Sequence, residues 1–135
     1  MLIIVLSLAG LLISGYLTQR HYALSEGVSL APSFCTVNAT IDCDRVLLSQ
    51  YAVVFGYPLS SIGFAFYLVI LWLAVAVGFL DSQLSLEIRR EAVSWIVALT
   101  LLALVIDVYL LGVLIFALGA VCLMCVATYL INGLT

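Results

Sequence analysis

The sequence predicts an all-α integral membrane protein, built as a four-transmembrane-helix bundle with a long extracytoplasmic loop. Hydrophobic residues make up 67% of its 135 residues and charged residues only 8%, whereas soluble domains carry about 25% charged residues. Four apolar runs also approach the roughly 20 residues that cross a bilayer. The lipid bilayer is therefore the expected surroundings of the chain, and there is no basic patch that would suit nucleic acid.

The four predicted helices cover residues 1–18, 62–80, 92–115 and 119–135, and residues 1–135 form a single membrane domain. The first run could be a cleaved signal peptide, but it lacks a positive amino-terminal region and a nearby Ala-x-Ala site, so a retained helix is expected. Gly119 marks the turn before the fourth helix, because about 44 unbroken residues would overshoot any bilayer.

The long loop of residues 19–59 lies on the same side of the membrane as the turn before the fourth helix, because successive connections alternate sides. Two cysteines of the loop and two at the start of the fourth helix are therefore expected to converge: Cys35, Cys43, Cys122 and Cys125. The arginines are nearly balanced between the two sides and only weakly favour a cytoplasmic short loop, residues 81–91. Because disulfides persist in oxidising compartments, the long loop and the CXXC pair are expected to face outward.

The segment "IDCDRVLLSQYAVV" (41–54) predicts a short helix within this loop. Asp42 can cap the helix, and its apolar residues fall broadly on one face. Amphipathic helices beside a bilayer lie on its surface or dip into it. The segment is therefore expected to form a lid helix over the mouth of the bundle.

In "VCLMCVATYL" (121–130), two cysteines three residues apart share one helical face. Their β-carbons would lie about 5–6 Å apart, at or slightly beyond disulfide reach, and a place near the first turn stabilises a reactive thiolate. Small cysteines can also simply pack in apolar helices. Zinc bound by all four thiols is disfavoured, because the loop pair lacks the usual CxxC knuckle. A redox pair without a metal is the favoured interpretation.

A disulfide beside lipid needs an electron acceptor, and the sequence has no GxGxxG or CxxCH motif for a nucleotide or haem. A quinone dissolved in the membrane is therefore the predicted acceptor, in a pocket with apolar walls and a few hydroxyl donors. Tyr129, four residues after Cys125, can offer a phenol, and the candidates for the pocket wall are Phe66, Tyr67 and Phe116.

Asp107 is the one acidic residue within a predicted span, and intramembrane acids are functional candidates by default. Two interpretations stay open. Asp107 relays protons to a reduced quinone, or it makes a structural hydrogen bond to a neighbouring hydroxyl.

Several motifs, taken in order, resemble the vitamin K epoxide reductase family over nearly the whole chain. They are the loop pair Cys35 and Cys43 with "CDRV" (43–46), Ser49, "FG" (55–56), "SSIGFAFY" (60–67), "DVYL" (107–110) and "CLMCVATYLIN" (122–132). The resemblance implies a four-helix bundle around a quinone of the ubiquinone or menaquinone type, with a half-helix lid after the second loop cysteine. The activity it implies is quinone-coupled thiol oxidation.

The resemblance also implies roles for six residues: a relay of Cys35 and Cys43, an active centre of Cys122 and Cys125, and pocket positions at Ser49 and Tyr129. Many bacterial members carry a fused thioredoxin-like domain that this sequence lacks. A separate thioredoxin-like partner is therefore expected, with the protein in the plasma membrane of a prokaryote. The vertebrate enzymes, which reduce vitamin K epoxide, have a pocket asparagine about where this chain has Leu59. Because this chain departs from them there, vitamin K epoxide reduction is the second candidate activity. A non-enzymatic four-span protein with structural disulfides is the alternative from another class.

Overall fold

The computed structural model describes residues 1–28, 31–79 and 85–135. In chain order, its elements are helix α1 (Leu2–Ser25), helix α2 (Cys43–Leu47), a 3₁₀ turn (Gln50–Ala52), strands β1 (Val53–Val54) and β2 (Tyr57–Pro58), helix α3 (Leu59–Phe79), helix α4 (Leu86–Gly112), a π-helical turn (Val113–Leu118) and helix α5 (Leu123–Leu134). The described part is mainly helical, as predicted, and carries a two-stranded hairpin in the long loop.

Three stretches of helix are long and apolar enough to cross a bilayer: Leu2–Ser25, Leu59–Phe79 and Leu86–Leu118. They identify the chain as an integral membrane protein. Helix α5 has 12 residues and is about 18 Å long, which is shorter than the roughly 30 Å hydrocarbon core of a bilayer. The count of four spans therefore stays a prediction.

Helix α1 continues past its predicted end at residue 18 to Ser25. The polar residues Gln19, Arg20 and His21 end the apolar run, but none of them is a helix breaker. The chain leaves the helix at Gly27, whose φ of 73° is left-handed. The predicted boundary was wrong because a change in polarity marks the edge of the apolar stretch, whereas the helix itself ends at a glycine.

Helices α3 and α4 both begin before their predicted starts at residues 62 and 92. Helix α3 begins at Leu59, directly after Pro58. Helix α4 begins at Leu86 because the Ser85 side chain caps it, accepting a hydrogen bond from the Ile88 N–H. The predicted end of the second helix at residue 80, and residues 81–84 of the predicted short loop, lie outside the described residues. The predicted end of the third helix at residue 115 falls inside the π-helical turn.

Helix α5 begins at Leu123, four residues after the predicted start at residue 119. Gly119 breaks the preceding helix as predicted, with a left-handed φ of 58°. The chain then stays extended, because Val121 forms an isolated parallel bridge with Ile41 of the long loop. The local sequence pattern could not place the start of α5 because this pairing joins distant parts of the chain.

The predicted lid helix (41–54) is much shorter in the structure, where α2 spans Cys43–Leu47. Asp42 caps this helix as predicted, since its carboxylate accepts a hydrogen bond from the Arg45 N–H (3.0 Å). Beyond the 3₁₀ turn the chain folds into the β1–β2 hairpin, whose two turn residues, Phe55 and Gly56, both have positive φ. Two consecutive positive φ values are typical of a type I′ turn, so a continuous helix cannot run through this segment.

Small residues of α1 bring it close to α3. Ser7, Gly10 and Ser14 lie on one face of α1 and are buried. The Tyr67 ring of α3 lies directly against Gly10, where any β-carbon would overlap it. Close approach through small residues is a common way for membrane helices to gain packing contacts. Here it fixes the Tyr67 ring inside the bundle.

Candidate active site

The loop pair of cysteines forms a disulfide. Cys35 and Cys43 are joined, with their Cα atoms 5.8 Å apart, and both side chains are almost fully buried. Cys43 is the first residue of α2, so the disulfide ties the preceding loop to that helix. The Ser33 Oγ lies 3.5 Å from the Cys35 sulfur. The loop disulfide is therefore covered by protein in this arrangement.

The second pair of cysteines lies at the start of α5 as free thiols. Cys122 is the N-cap of the helix, and its sulfur accepts a hydrogen bond from the Cys125 N–H (3.2 Å). The sulfur thus takes the place of a capping oxygen, and N–H groups at a helix start stabilise a thiolate. Cys122 is fully buried, whereas Cys125 is partly buried.

A backbone bridge joins the two cysteine pairs. The Val121 N–H donates a hydrogen bond to the Thr40 carbonyl (2.7 Å), and the Asp42 N–H donates one to the Val121 carbonyl (3.2 Å). Cys43 directly follows Asp42 and Cys122 directly follows Val121, and both cysteines belong to one buried cluster. The structure therefore brings the two pairs together, as the predicted topology requires, and two hydrogen bonds hold them in place.

An ion pair anchors the long loop to α1. The Arg20 guanidinium donates to both carboxylate oxygens of Asp44 (2.9 and 3.0 Å) and to the Ala31 carbonyl (3.1 Å). The Ser33 N–H also donates to Asp44 (2.9 Å). Burial alone would raise the pKa of Asp44, but the hydrogen bonds from Ser33 and Arg20 outweigh it, so this pKa lies below its usual value. Asp44 is therefore ionised at neutral pH.

A second contact from α1 fastens the end of α2. The buried His21 ring places Nδ1 2.8 Å from the Leu47 carbonyl. Because a carbonyl only accepts hydrogen bonds, Nδ1 carries the hydrogen. Neither anchor, Arg20 or His21, is predictable from the sequence, because their partners come from a loop whose path no local pattern reveals.

Beneath α2 lies a cavity of about 300 Å³, bordered by α1, α3, α4 and α5. Four of the predicted pocket residues line it: Ser49, Phe66, Tyr67 and Tyr129. The Ser49 hydroxyl already donates to the Val46 carbonyl (2.7 Å). The Tyr129 hydroxyl makes no hydrogen bond to any residue that the structure describes. Of the four cysteines, Cys125 is the one that lines the cavity.

Phe116 does not line the cavity, and its predicted place in the wall is corrected. It lies in the π-helical turn, and its side chain is 89% exposed. A π turn holds more residues than an α turn, so it rotates side chains away from the positions that an α-helical pattern predicts. Leu114 and Leu118 of the same turn line the cavity instead.

A hydrogen-bond network joins three helices at the cavity wall. The Asn132 amide donates to the Asp107 carboxylate (2.7 Å), and the Tyr67 hydroxyl donates to the Asn132 side-chain carbonyl (2.8 Å). The Tyr67 hydroxyl also lies 3.2 Å from the Thr128 carbonyl. The partner of Asp107 is thus an amide and not the hydroxyl that sequence analysis considered. Asn132 was not singled out there, although it follows Tyr129 by three residues and shares its helical face.

The chemistry of the cavity fits a quinone. Ligand pockets are concave, mainly hydrophobic and about 300–1,000 Å³ in volume, with a few polar groups that orient the ligand. Here apolar walls surround the Tyr129 phenol and the Cys125 thiol. Within residues 1–28, 31–79 and 85–135, no group of three His, Cys, Asp or Glu side chains is arranged to hold a metal ion.

Comparison with known protein families gives a match over the full length of the chain. The model described as "Vitamin K epoxide reductase family" matches residues 1–135. The match therefore includes both cysteine pairs and every residue of the cavity lining. A comparison with individual curated proteins gives no match.

Replacing Asp44 with asparagine should destabilise the protein in a pH-dependent way. Asparagine can still accept from Ser33, but it loses the ionic bond to Arg20, and hydrogen bonds to charged groups contribute about 1.5–3 kcal/mol. Because the pKa of Asp44 is lowered on folding, this contribution is complete above the unfolded pKa of about 3.9 and is lost as the pH falls through the lower folded value. Asp44→Asn should lower Tm in detergent at pH 7. The difference in Tm between the variant and the wild type should shrink as the pH is lowered through the folded pKa of Asp44.

Arg45→Gln is the matched control, because Arg45 lies beside Asp44 on α2 and is exposed. This substitution should leave Tm close to the wild-type value. If the Tm difference between Asp44→Asn and the wild type stays constant down to the lowest pH at which the protein is folded, the ion-pair account is contradicted.

Proposed function

The chain belongs to the vitamin K epoxide reductase family, and from this premise we propose that it is a membrane thiol–quinone oxidoreductase. It takes electrons from a thioredoxin-like partner, passes them to a quinone and so generates disulfide bonds in extracytoplasmic proteins. The observation that carries the proposal is the bridge at Val121, which holds a disulfide next to a pair of thiols beside an apolar cavity.

The proposed electron path runs through two disulfide exchanges, each of which forms one S–S bond and breaks one. A partner thiolate attacks Cys35 and releases Cys43, and the second thiol of the partner then frees Cys35. In the next exchange, Cys43 attacks Cys122 and releases Cys125, and Cys35 then re-forms its bond with Cys43. The net result is that two electrons move from the partner to the pair on α5.

The positions of the α5 cysteines support this order. Cys122 directly follows the bridge residue Val121, so it is the cysteine of the pair that the loop meets. Cys125 lines the cavity, whereas Cys122 does not, so it is the cysteine next to the acceptor. A loop disulfide beside two free α5 thiols corresponds to the state after electrons have reached α5 and before they leave it.

A bound quinone of the ubiquinone or menaquinone type supplies the acceptor for two electrons and two protons. The residues of the chain would bind and orient it and keep water out. Phe66 and Tyr67 form part of the apolar wall, and the free Tyr129 hydroxyl can donate to a ring oxygen. The segment that contains α2 acts as the lid, because Leu47 and Ser49 line the cavity from its side.

Two other functions have less support. Leu59 lines the cavity with an apolar side chain, so this position offers no hydrogen-bond donor to an epoxide oxygen, and quinone reduction is favoured. A purely structural role for the cysteines does not account for a free Cys125 thiol at the wall of an apolar cavity.

The loop with Cys35 and Cys43 is proposed to face the outside of the cell, because disulfides persist in oxidising compartments. Arg89 and Arg90 near the start of α4 would then face the cytoplasm, in line with the positive-inside rule. Single cysteines introduced at Ala39 and at Glu87, both exposed, can be labelled on intact cells with an impermeant maleimide. Labelling at position 87 alone would show that the protein has the opposite orientation.

Quinone reduction driven by dithiols tests the proposed function. The purified protein is mixed with a reduced thioredoxin-like protein and a short-chain ubiquinone or menaquinone analogue, and the quinone absorbance is followed. Turnover is expected for the wild type, whereas Cys35→Ala and Cys125→Ala should not exceed the background rate. Failure of the wild type to reduce either quinone class with any dithiol donor would refute the proposal.

A second prediction concerns the lid. Ser49→Leu adds bulk on the cavity side of the lid and should weaken quinone turnover, while all four thiols stay able to oxidise. Ser49→Ala is the matched control, because it removes the hydroxyl that bonds Val46 without filling the cavity. Two measurements on both variants test this prediction: the KM for quinone and the extent of thiol alkylation. Unchanged quinone kinetics in Ser49→Leu would show that the lid assignment is wrong.

A further inference from the structure

Asp107 lies at the cavity wall on the face of α4 that turns away from lipid. The next residue, Val108, is exposed and does not line the cavity, whereas Asp107 is half-buried and lines it together with Ile106. A carboxyl group inside a membrane span is costly and is typically associated with a function. The proposed electron path makes no use of Asp107.

The hydrogen bonds around Asp107 have a fixed direction. The Tyr67 phenol donates to Oδ1 of Asn132, so Nδ2 faces Asp107 and donates to its Oδ2. The Tyr67 ring is held in place because Gly10 of α1 lies against it. A neutral amide is not a general acid or base, so the carboxyl group of Asp107 is the member of this network suited to proton exchange.

One of the two carboxyl oxygens of Asp107 is left without a hydrogen bond in the described part of the chain. Its Oδ1 makes no hydrogen bond within the residues that the structure describes. The other titratable groups of the cavity lining are Tyr67 from α3, Tyr129 and Cys125 from α5, and Tyr51 from the 3₁₀ turn, while α1 contributes none. No arginine or histidine belongs to the described lining. Asp107 is therefore the single carboxyl group of the described lining, and no cation neutralises it there.

We propose that Asp107 is the proton donor of this cavity: held through Asn132 and Tyr67, its spare oxygen binds a ring oxygen of the quinone and exchanges a proton with it. This inference rests on the proposed function. Cys125, Tyr129 and Asn132 follow one another at spacings of four and three residues along one face of α5. A ring lying along that face would have one oxygen near the Cys125 and Tyr129 end and the other near Asp107.

The reaction balances without any further reagent. When the dithiol of Cys122 and Cys125 becomes a disulfide, one S–S bond forms, and two electrons and two protons are released. The quinone takes up both electrons and both protons and becomes the quinol. Asp107 donates its proton to the ring oxygen beside it and is then reprotonated by a proton that the thiols have lost.

Asp107→Asn tests the inference, because asparagine keeps the size of the side chain and an acceptor for Asn132 but cannot donate an acid proton. Dithiol-driven quinone reduction should fall by about a hundredfold, the lower end of what a positioned proton donor contributes. The pH profile should lose the limb that belongs to the carboxyl group. Tm should stay near the wild-type value, and quinone affinity, followed by quenching of tyrosine fluorescence, should fall far less than the rate, because the asparagine amide can still donate to the ring oxygen.

Infrared difference spectroscopy gives a readout that does not depend on turnover. Adding oxidised quinone to the wild type should shift a carboxyl C=O band, and this shift should be absent in Asp107→Asn. Thr100→Val is the matched control, since it removes another buried polar group from α4 that does not line the cavity. This control should keep the rate, the pH profile and the infrared shift.

An unchanged rate and pH profile in Asp107→Asn would overturn the inference and leave the proposed function intact. If the variant fails to fold, the wild-type spectrum decides: no carboxyl shift on quinone binding would equally overturn it. A wild type that binds quinone with the carboxyl shift but reduces none would refute the proposed function while still placing Asp107 at the quinone.

Discussion

The two backbone hydrogen bonds of Val121 are the constraint on which the rest of the site depends. They join the residues just before Cys43 to the residue just before Cys122, so both cysteines lie in one buried cluster. Neither bond involves a side chain, so many sequences could form the bridge. What the bridge requires is an extended segment between Gly119 and α5, and the left-handed φ of Gly119 provides it by ending the previous helix.

The anchors on α1 hold the long loop against the bundle in addition to the bridge. Arg20 holds Asp44, and His21 holds the Leu47 carbonyl, so α2 is fastened at both ends. In this arrangement Cys35 is only 2% exposed, and a partner thiolate has no direct approach to it. The proposed exchange therefore requires these contacts to loosen while the partner is bound and to re-form before electrons pass to α5.

Composition and short-range pattern predict part of this structure. Apolar runs revealed the long helices, Gly119 marked the break, and the cap at Asp42 and the convergence of the cysteine pairs followed from spacing and topology. The features they miss depend on contacts between distant residues. The bridge at Val121 keeps the chain extended, so α5 begins later than predicted. The positive φ values at Phe55 and Gly56 are incompatible with the predicted continuous lid helix.

In the cavity too, some lining residues follow from local pattern and others do not. Tyr129 was found because it shares a face with Cys125, and the same periodicity would have led to Asn132. Phe116 was misplaced because the π-helical turn rotates it outward, and no residue pattern in "VLIFAL" indicates such a turn. Helical periodicity thus predicts the lining where a regular helix borders the cavity and fails where the helix changes its pitch.

The central claim is that Cys43 and Cys122 are the two sulfurs that meet across the bridge. In Cys125→Ala, the Cys122 thiolate can attack Cys43 of the loop disulfide and release Cys35, but the thiol that would displace Cys43 from Cys122 is missing, so this mixed disulfide should accumulate when the protein is oxidised. Peptide mapping by mass spectrometry under non-reducing conditions identifies the trapped bond. The account predicts a disulfide between Cys43 and Cys122, whereas a disulfide between Cys35 and Cys122 would show that the loop cysteines have the opposite roles.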